Sequence, residues 1–206
     1  MKNSVLNRTI KVSILSAFSF VLMLIEFPLP VLFPGFLKFD FSDLPALVGS
    51  FALGPVEGVM IELIKNVLKS CAGSETVFVG ELSNFIVGAI FVGVAGFIYR
   101  YRKTKKQAAI SLLAGTAVCS LFAGMLNYYI FFPLFAKAFH APIESFVKMT
   151  AVVNPWVTDF KSVIYLSVIP FNLFKFLCIS IITFVIYKKI SPLLHSEGVR
   201  VKNRAY

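Results

Sequence analysis

Long apolar stretches broken by short polar or basic turns run along the whole chain, and their lengths set the first expectation. A helix that crosses a bilayer needs about 20 mostly apolar residues. Runs of that kind predict helices over about 9–27, 77–99, 108–133 and 163–187. Two shorter apolar pieces, about 44–53 and 56–69, are divided by Gly54-Pro55. Backbone polar groups in lipid must be satisfied within the chain, so helices are the expected spanning form. The pattern therefore predicts an all-α membrane protein, a six-transmembrane-helix bundle forming a single domain over residues 1–206. The first apolar run follows a basic start, as a signal peptide would. Glu26 and the prolines Pro28, Pro30 and Pro34 then stand where a small-residue cleavage site belongs, so the run reads as a retained first helix.

Composition sharpens this picture. Of 206 residues, 58% are hydrophobic and 15% charged, and mean hydropathy is +0.83. Soluble domains run near a quarter charged and under half apolar, so a soluble fold could not hide this much apolar surface. The net charge of +10 gathers in three clusters, at Lys2 to Lys11, Arg100 to Lys106 and Lys188 to Arg204. Basic clusters flanking apolar spans mark cytoplasmic ends, which puts both termini inside and the loops 28–43, 70–76 and 134–162 outside. No interleaving of aromatic and basic residues points to nucleic acid as a partner.

Small residues at four-residue spacing, such as Ser13/Ala17, Ala89/Gly93 and Gly115/Cys119/Ala123, let membrane helices approach closely. Cys71, Cys119 and Cys178 lie far apart and read as small apolar residues rather than a disulfide or metal set. There is no GxxxxGK[ST], GxSxG, HExxH or CxxC, and His140 and His195 stand alone. The expectation is a protein that is not an enzyme, carries no metal or cofactor, and draws any work against a gradient from partners or ions.

Polar groups inside the apolar runs are the informative exceptions. An ionisable residue at the centre of a spanning helix costs about 2.5 to 3.5 kcal/mol on insertion scales. In IPFNLFKF, Asn172 and Lys175 are three apart and share a helix face. Pro170 either begins that helix or kinks it. Asn127, in GMLNYYIFFP, lies about two turns before the end of its own run. Such groups either bind a ligand or hold helices together, and Lys175 in particular could pair with a carboxylate. Glu62, Lys65 and Asn66 fall on one face and read as mutually neutralising. In the loop 28–43, Ser42 or Asp43 could cap the next helix, with Pro45 in its first turn. That leaves Asp40 without a structural task, beside Phe36, Phe39 and Phe41. Aromatic surface with acceptors suits a flat heteroaromatic ligand with a hydroxylated tail, and equally suits an interfacial belt.

FPLPVLFPGFLKFDFSDLP, GPVEGV, KNVL, MLNYYIFFPL and IPFNLFKF, in that order, resemble the riboflavin-specific S components (the RibU family) of energy-coupling factor (ECF) transporters. The blocks cover most of the chain. The resemblance implies a six-helix S-component fold that captures riboflavin outside the cell. It also implies partners: an ECF transmembrane coupling protein and two ATPase subunits that drive release inward. Carried over onto matching positions, Asn127, Asn172 and Lys175 would hydrogen-bond the isoalloxazine ring, while Phe39 and Asp40 would help close the site. Ser13 and Ala17 would dock the coupling protein, with a serine where the family has alanine. An S component for another vitamin, such as thiamine or biotin, and a carrier working alone are the competing readings. The local contexts of Asn127, Asn172 and Lys175 speak against the first. The lack of a transmembrane repeat or a line of titratable groups speaks against the second.

Overall fold

A computed structural model describes the backbone of residues 2–202 and the side chains of residues 5–186. The basic cluster at 188–204 lies outside the described side chains. Nearly all of the described chain is helical. α1 spans Lys2–Leu24, and a two-residue antiparallel hairpin follows, β1 Phe27–Pro28 against β2 Lys38–Phe39. α2 (Asp43–Ala52) and α3 (Pro55–Ala72) meet at Gly54. The break has a backbone cause. Gly54 adopts φ +134°, which only glycine takes without strain, and Pro55 then opens α3 where its missing N–H costs nothing.

α4 runs Val79–Tyr101. α5 (Lys105–Leu126) starts on the Thr104 N-cap, whose hydroxyl accepts from the Gln107 N–H at 3.2 Å. α5 continues through a π turn, Asn127–Phe131, into α6, Phe132–Ala138. α7 (Ile143–Ala151) lies in the connection. α8 (Phe160–Val163) then leads through a second π turn, Ile164–Val168, into α9, Ile169–Lys202. Pro170 therefore neither starts a helix nor stops one. A π turn stands just before it, and the Ile169 N–H there bonds the Ile164 carbonyl.

Among the described residues, four helices are long and apolar enough to cross a membrane: Val5–Leu24, Val79–Tyr101, Lys105–Ala138 and Phe160–Ile186. α2, with 10 residues, is too short for that measure, and α3 carries Glu57, Glu62, Lys65 and Lys69. Both pack one face into the bundle, with Ala46, Leu47 and Ile61 fully buried, while α3 leaves Val56, Met60 and Val67 exposed on its other face.

The main core joins α2, α3, α4, α5 and α9 through Leu47, Ile61, Phe91, Leu112 and Ile179. Phe51 and Tyr99 stack in it at 4.2 Å. A second cluster, Phe132, Val157, Val163, Ile164 and Val168, closes the end of the bundle that carries the hairpin. Large apolar side chains such as Ile14, Phe18, Leu121 and Val185 stay exposed on the outside of the helices. On a soluble protein that surface would aggregate, whereas here it faces hydrocarbon.

Candidate ligand-binding cavity

At the hairpin end, α1, the hairpin loop, α4, α5–α6 and α9 surround a cavity of about 330 Å³. That is enough for a small ligand. Its apolar wall is aromatic, with Phe36, Phe132, Phe135, Phe146, Phe171 and Phe176. Asn127, Asn172, Lys175 and Asp40 all open onto it.

Asn127 is the first residue of the π turn in the α5–α6 helix, a kind of irregularity that is frequent at functional sites. Its Nδ2 donates to the Ala123 carbonyl at 2.8 Å. Asn172, on α9, donates in the same way to the Val168 carbonyl at 2.9 Å, and Val168 closes the second π turn. The two π turns touch. Each back-bond fixes its amide and uses one of two N–H groups. The other N–H and the Oδ1 find no partner among the described residues. Each asparagine can therefore offer the cavity one donor and one acceptor.

Lys175 is buried, 5% exposed. Its ammonium donates to Asp40 Oδ2 at 2.9 Å and stands 3.1 Å from Asp43 Oδ2. An ammonium has three donors, so one is left over. Asp40 is thus tied at both oxygens, since its Oδ1 accepts the Ser42 N–H at 2.7 Å.

The polar structure continues behind the wall. Asp43 Oδ1 accepts from Lys65 at 2.6 Å, and Lys65 also donates to Ser42 Oγ at 2.8 Å and pairs with Glu62 at 2.8 Å. Asn66 donates to the Glu62 carbonyl at 2.8 Å and reaches Asn84 on α4 at 3.4 Å. Close helix approach makes room for this. A Cβ on Gly88 of α4 would collide with Glu62 Oε2 and come within 3.1 Å of Asp43 Oδ1.

The loop reads differently in space than in sequence. Ser42 occupies the N-cap position of α2 but makes no side-chain cap bond, because its hydroxyl accepts from Lys65. Asp43 is held by two lysines from other helices. Asp40 has a structural task after all. Phe39, 3% exposed, does not line the cavity. Its ring packs on Phe27 at 5.6 Å, Phe41 at 5.0 Å and Phe174 at 5.9 Å, facing an apolar groove on the other side of the loop. It backs Asp40, while Phe36 supplies the loop's aromatic surface to the cavity.

Sequence reasoning missed one wall. Lys38 bridges Glu26 at 3.0 Å and Glu75 at 2.7 Å, clamping the hairpin to the end of α1 and to the α3–α4 loop. Lys69 stands 3.5 Å from Glu26. Glu81 accepts from Ser74 and Thr76, each at 2.8 Å. The hydrogen bond that Lys38 donates to Glu75 holds the ammonium above its usual range, and the same bond holds the Glu75 carboxyl below its own. Glu81 and Asn84, three apart at the start of α4, were the one readable signal of this wall.

Ser13 and Ala17 lie away from the cavity, exposed on the outer face of α1 beside Ile14 and Phe18. Ser16 and Ser19 face the bundle, and Ser19 donates to the Ser42 carbonyl at 2.8 Å.

A sequence profile described as "ECF transporter, substrate-specific component" matches residues 7–187. Riboflavin transporter FmnP of Bacillus subtilis is 34% identical over 195 residues, covering 92% of this chain and 95% of that protein. Riboflavin transporter RibU of Staphylococcus aureus is 34% identical over 187 residues, covering 91% and 92%. The solved structure reported under "Structure and mechanism of the S component of a bacterial ECF transporter" superposes with a TM-score of 0.72 at 32% identity. That superposition covers 94% of this chain and 99% of the other. With a buried polar cavity inside an apolar helical bundle and a profile match over most of its length, the chain belongs to the substrate-specific components of ECF transporters. It is a multi-pass integral protein of the cell membrane and a transport subunit, not an enzyme.

Proposed function

We propose that this chain captures riboflavin from outside the cell and delivers it to an ECF transmembrane coupling protein and two ATPase subunits, which drive its release inward. The observation that carries this reading is the joint opening of Asn127, Asn172 and Lys175 onto one aromatic-walled cavity. The pyrimidine edge of the isoalloxazine ring alternates carbonyl acceptors with an N–H donor. The spare N–H and Oδ1 of each asparagine match both kinds, and the third Lys175 donor meets a carbonyl. The flat ring system lies among Phe36, Phe132, Phe171 and Phe176, and the ribityl hydroxyls reach the polar side of Asp40, Asn84 and Thr76. The names of the relatives support riboflavin over thiamine or biotin.

In this reading the chain is one substrate-binding domain of six helices: α1, α2, α3, α4, α5–α6 and α8–α9. Both termini are cytoplasmic, so the hairpin end faces outward. The buried charges of α3 do not oppose its insertion, because Glu62 and Lys65 are paired out of reach of lipid. Ser13 and Ala17 form the small-residue strip on which the coupling protein docks.

Purification in detergent from cells grown with riboflavin tests this. A yellow preparation with a flavin absorbance spectrum is the expected result. A colourless, folded protein that also fails to quench added riboflavin fluorescence rejects capture.

A further inference from the structure

The whole chain carries a formal charge of +10, yet the wall of its cavity has the opposite sign. Glu26, Asp40, Asp43, Glu75 and Glu81 line it, against Lys38, Lys69 and Lys175. Five carboxylates face three ammonium groups, and no arginine is among the lining residues. Each of the three lysines is already engaged: Lys38 with Glu26 and Glu75, Lys69 with Glu26, and Lys175 with Asp40 and Asp43.

The features that ordinarily hold a phosphate are likewise taken. The hydroxyls of Ser74 and Thr76 donate to Glu81. Glu81 also sits in the first turn of α4, where the helix end would otherwise attract an anion. A phosphate monoester brings a charge of about −1.5 to −2 at neutral pH. Inside a partly desolvated cavity with surplus negative charge, that group is repelled and finds no free cationic fork to hold it.

We infer that Glu26, Glu75 and Glu81, on the wall formed by the end of α1, the α3–α4 loop and the start of α4, set specificity for the uncharged flavin over its phosphate ester. This rests on the riboflavin reading above. The carboxylates act on the phosphate through space. Riboflavin, with hydroxyls only, passes them without electrostatic cost.

The test compares riboflavin with flavin mononucleotide by fluorescence quenching on the purified full-length protein in detergent. The ratio of the two dissociation constants is expected to be at least about tenfold, equivalent to 1.4 kcal/mol, in favour of riboflavin. Two observations identify charge as the cause. Raising the ionic strength from 0.01 M to 1 M shortens the screening length from about 30 Å to about 3 Å and narrows the ratio. Glu75→Lys and Glu26→Gln narrow it as well. Equal affinities overturn the inference. A large ratio that neither salt nor either substitution moves also overturns it, since it would mark a steric limit. A folded protein that binds neither flavin rejects the riboflavin reading itself, and the inference with it.

Discussion

Lys175 on α9 and Asp40 in the hairpin loop form a buried ion pair at 2.9 Å between residues 135 positions apart. Both open onto the cavity, so one interaction fastens the loop, aims the lysine and shapes the ligand site. Removing the lysine therefore has two effects. Lys175→Ala is expected to weaken riboflavin binding by about 1 to 3 kcal/mol through loss of a charge-assisted bond. It also leaves Asp40 without its cation, while Asp43 keeps Lys65, and breaking such a buried pair costs about 3 to 5 kcal/mol of stability. Lys175→Met combined with Asp40→Asn restores neutrality, so the double variant is more stable than the sum of its single variants implies. Thermal unfolding in detergent reads the stability effect, and flavin titration reads the affinity. Strictly additive stability losses would show that the pair is not energetically coupled.

Gly88 lets α4 lie against the Glu62–Asp43 contact, and a methyl group there meets Glu62 Oε2. Gly88→Ala is expected to cost about 1 to 3 kcal/mol, as overpacked cores do, and to lower flavin affinity because Asp43 holds Lys175. Gly93→Ala on the same helix meets only Val59 at 3.7 Å and serves as the control. Equal unfolding temperatures for the two variants would contradict this packing account.

The Lys38–Glu75 bridge makes the hairpin clamp pH-dependent. Glu75 is held below its ordinary 4.5, so its contribution is present above that value and lost as pH falls through the lowered one. Lys38 is held above its ordinary 10.5, so its contribution is present below that value and lost as pH rises through the raised one. Glu26 on Lys38 and on Lys69 adds to the same clamp. The stability difference between the native chain and Glu75→Gln is expected to stay constant between about pH 5 and pH 10 and to vanish on both sides. It is small and salt-sensitive, because the Glu75 side chain is 73% exposed. Unfolding curves across pH, at low and high salt, check the sign.

Ser13 and Ala17, the proposed docking strip, do not line the cavity, so their role can be tested apart from flavin binding. Ser13→Leu with Ala17→Leu is expected to leave flavin affinity intact while abolishing ATP-driven uptake in vesicles that contain the coupling protein and the ATPase subunits. Bulky side chains block the close helix approach that small ones permit. Full uptake by the double variant would move the docking surface elsewhere.

How much of this could be read from residues alone follows from what each property depends on. The membrane class came from composition and run length, which need no three-dimensional information. Asn127, Asn172 and Lys175 were visible because polar side chains in apolar runs carry a known cost. The partner of Lys175 was not visible, since a pairing across 135 residues leaves no local trace. Nor was the choice between Phe36 and Phe39. With only a two-residue strand, Lys38–Phe39, the segment gives no periodicity to say which ring turns inward. The four charged residues of α3 look unsuited to a membrane until the fold shows Glu62 and Lys65 to be fully buried and paired with each other.

The π turns at Asn127–Phe131 and Ile164–Val168 carry a last consequence. Each holds a surplus residue that a regular helix would expel, and each residue advances the helix by about 100°. Deleting one residue from the first turn would heal the ladder and retain every other side chain. Because the wider π turn spreads one rotation over an extra residue, Phe132 and Phe135 would keep nearly their present phase relative to the helix before the turn. The surplus residue is therefore absorbed within the turn, and a homologue that lacks it would keep the aromatic wall in phase while losing the break in the helical ladder at Asn127.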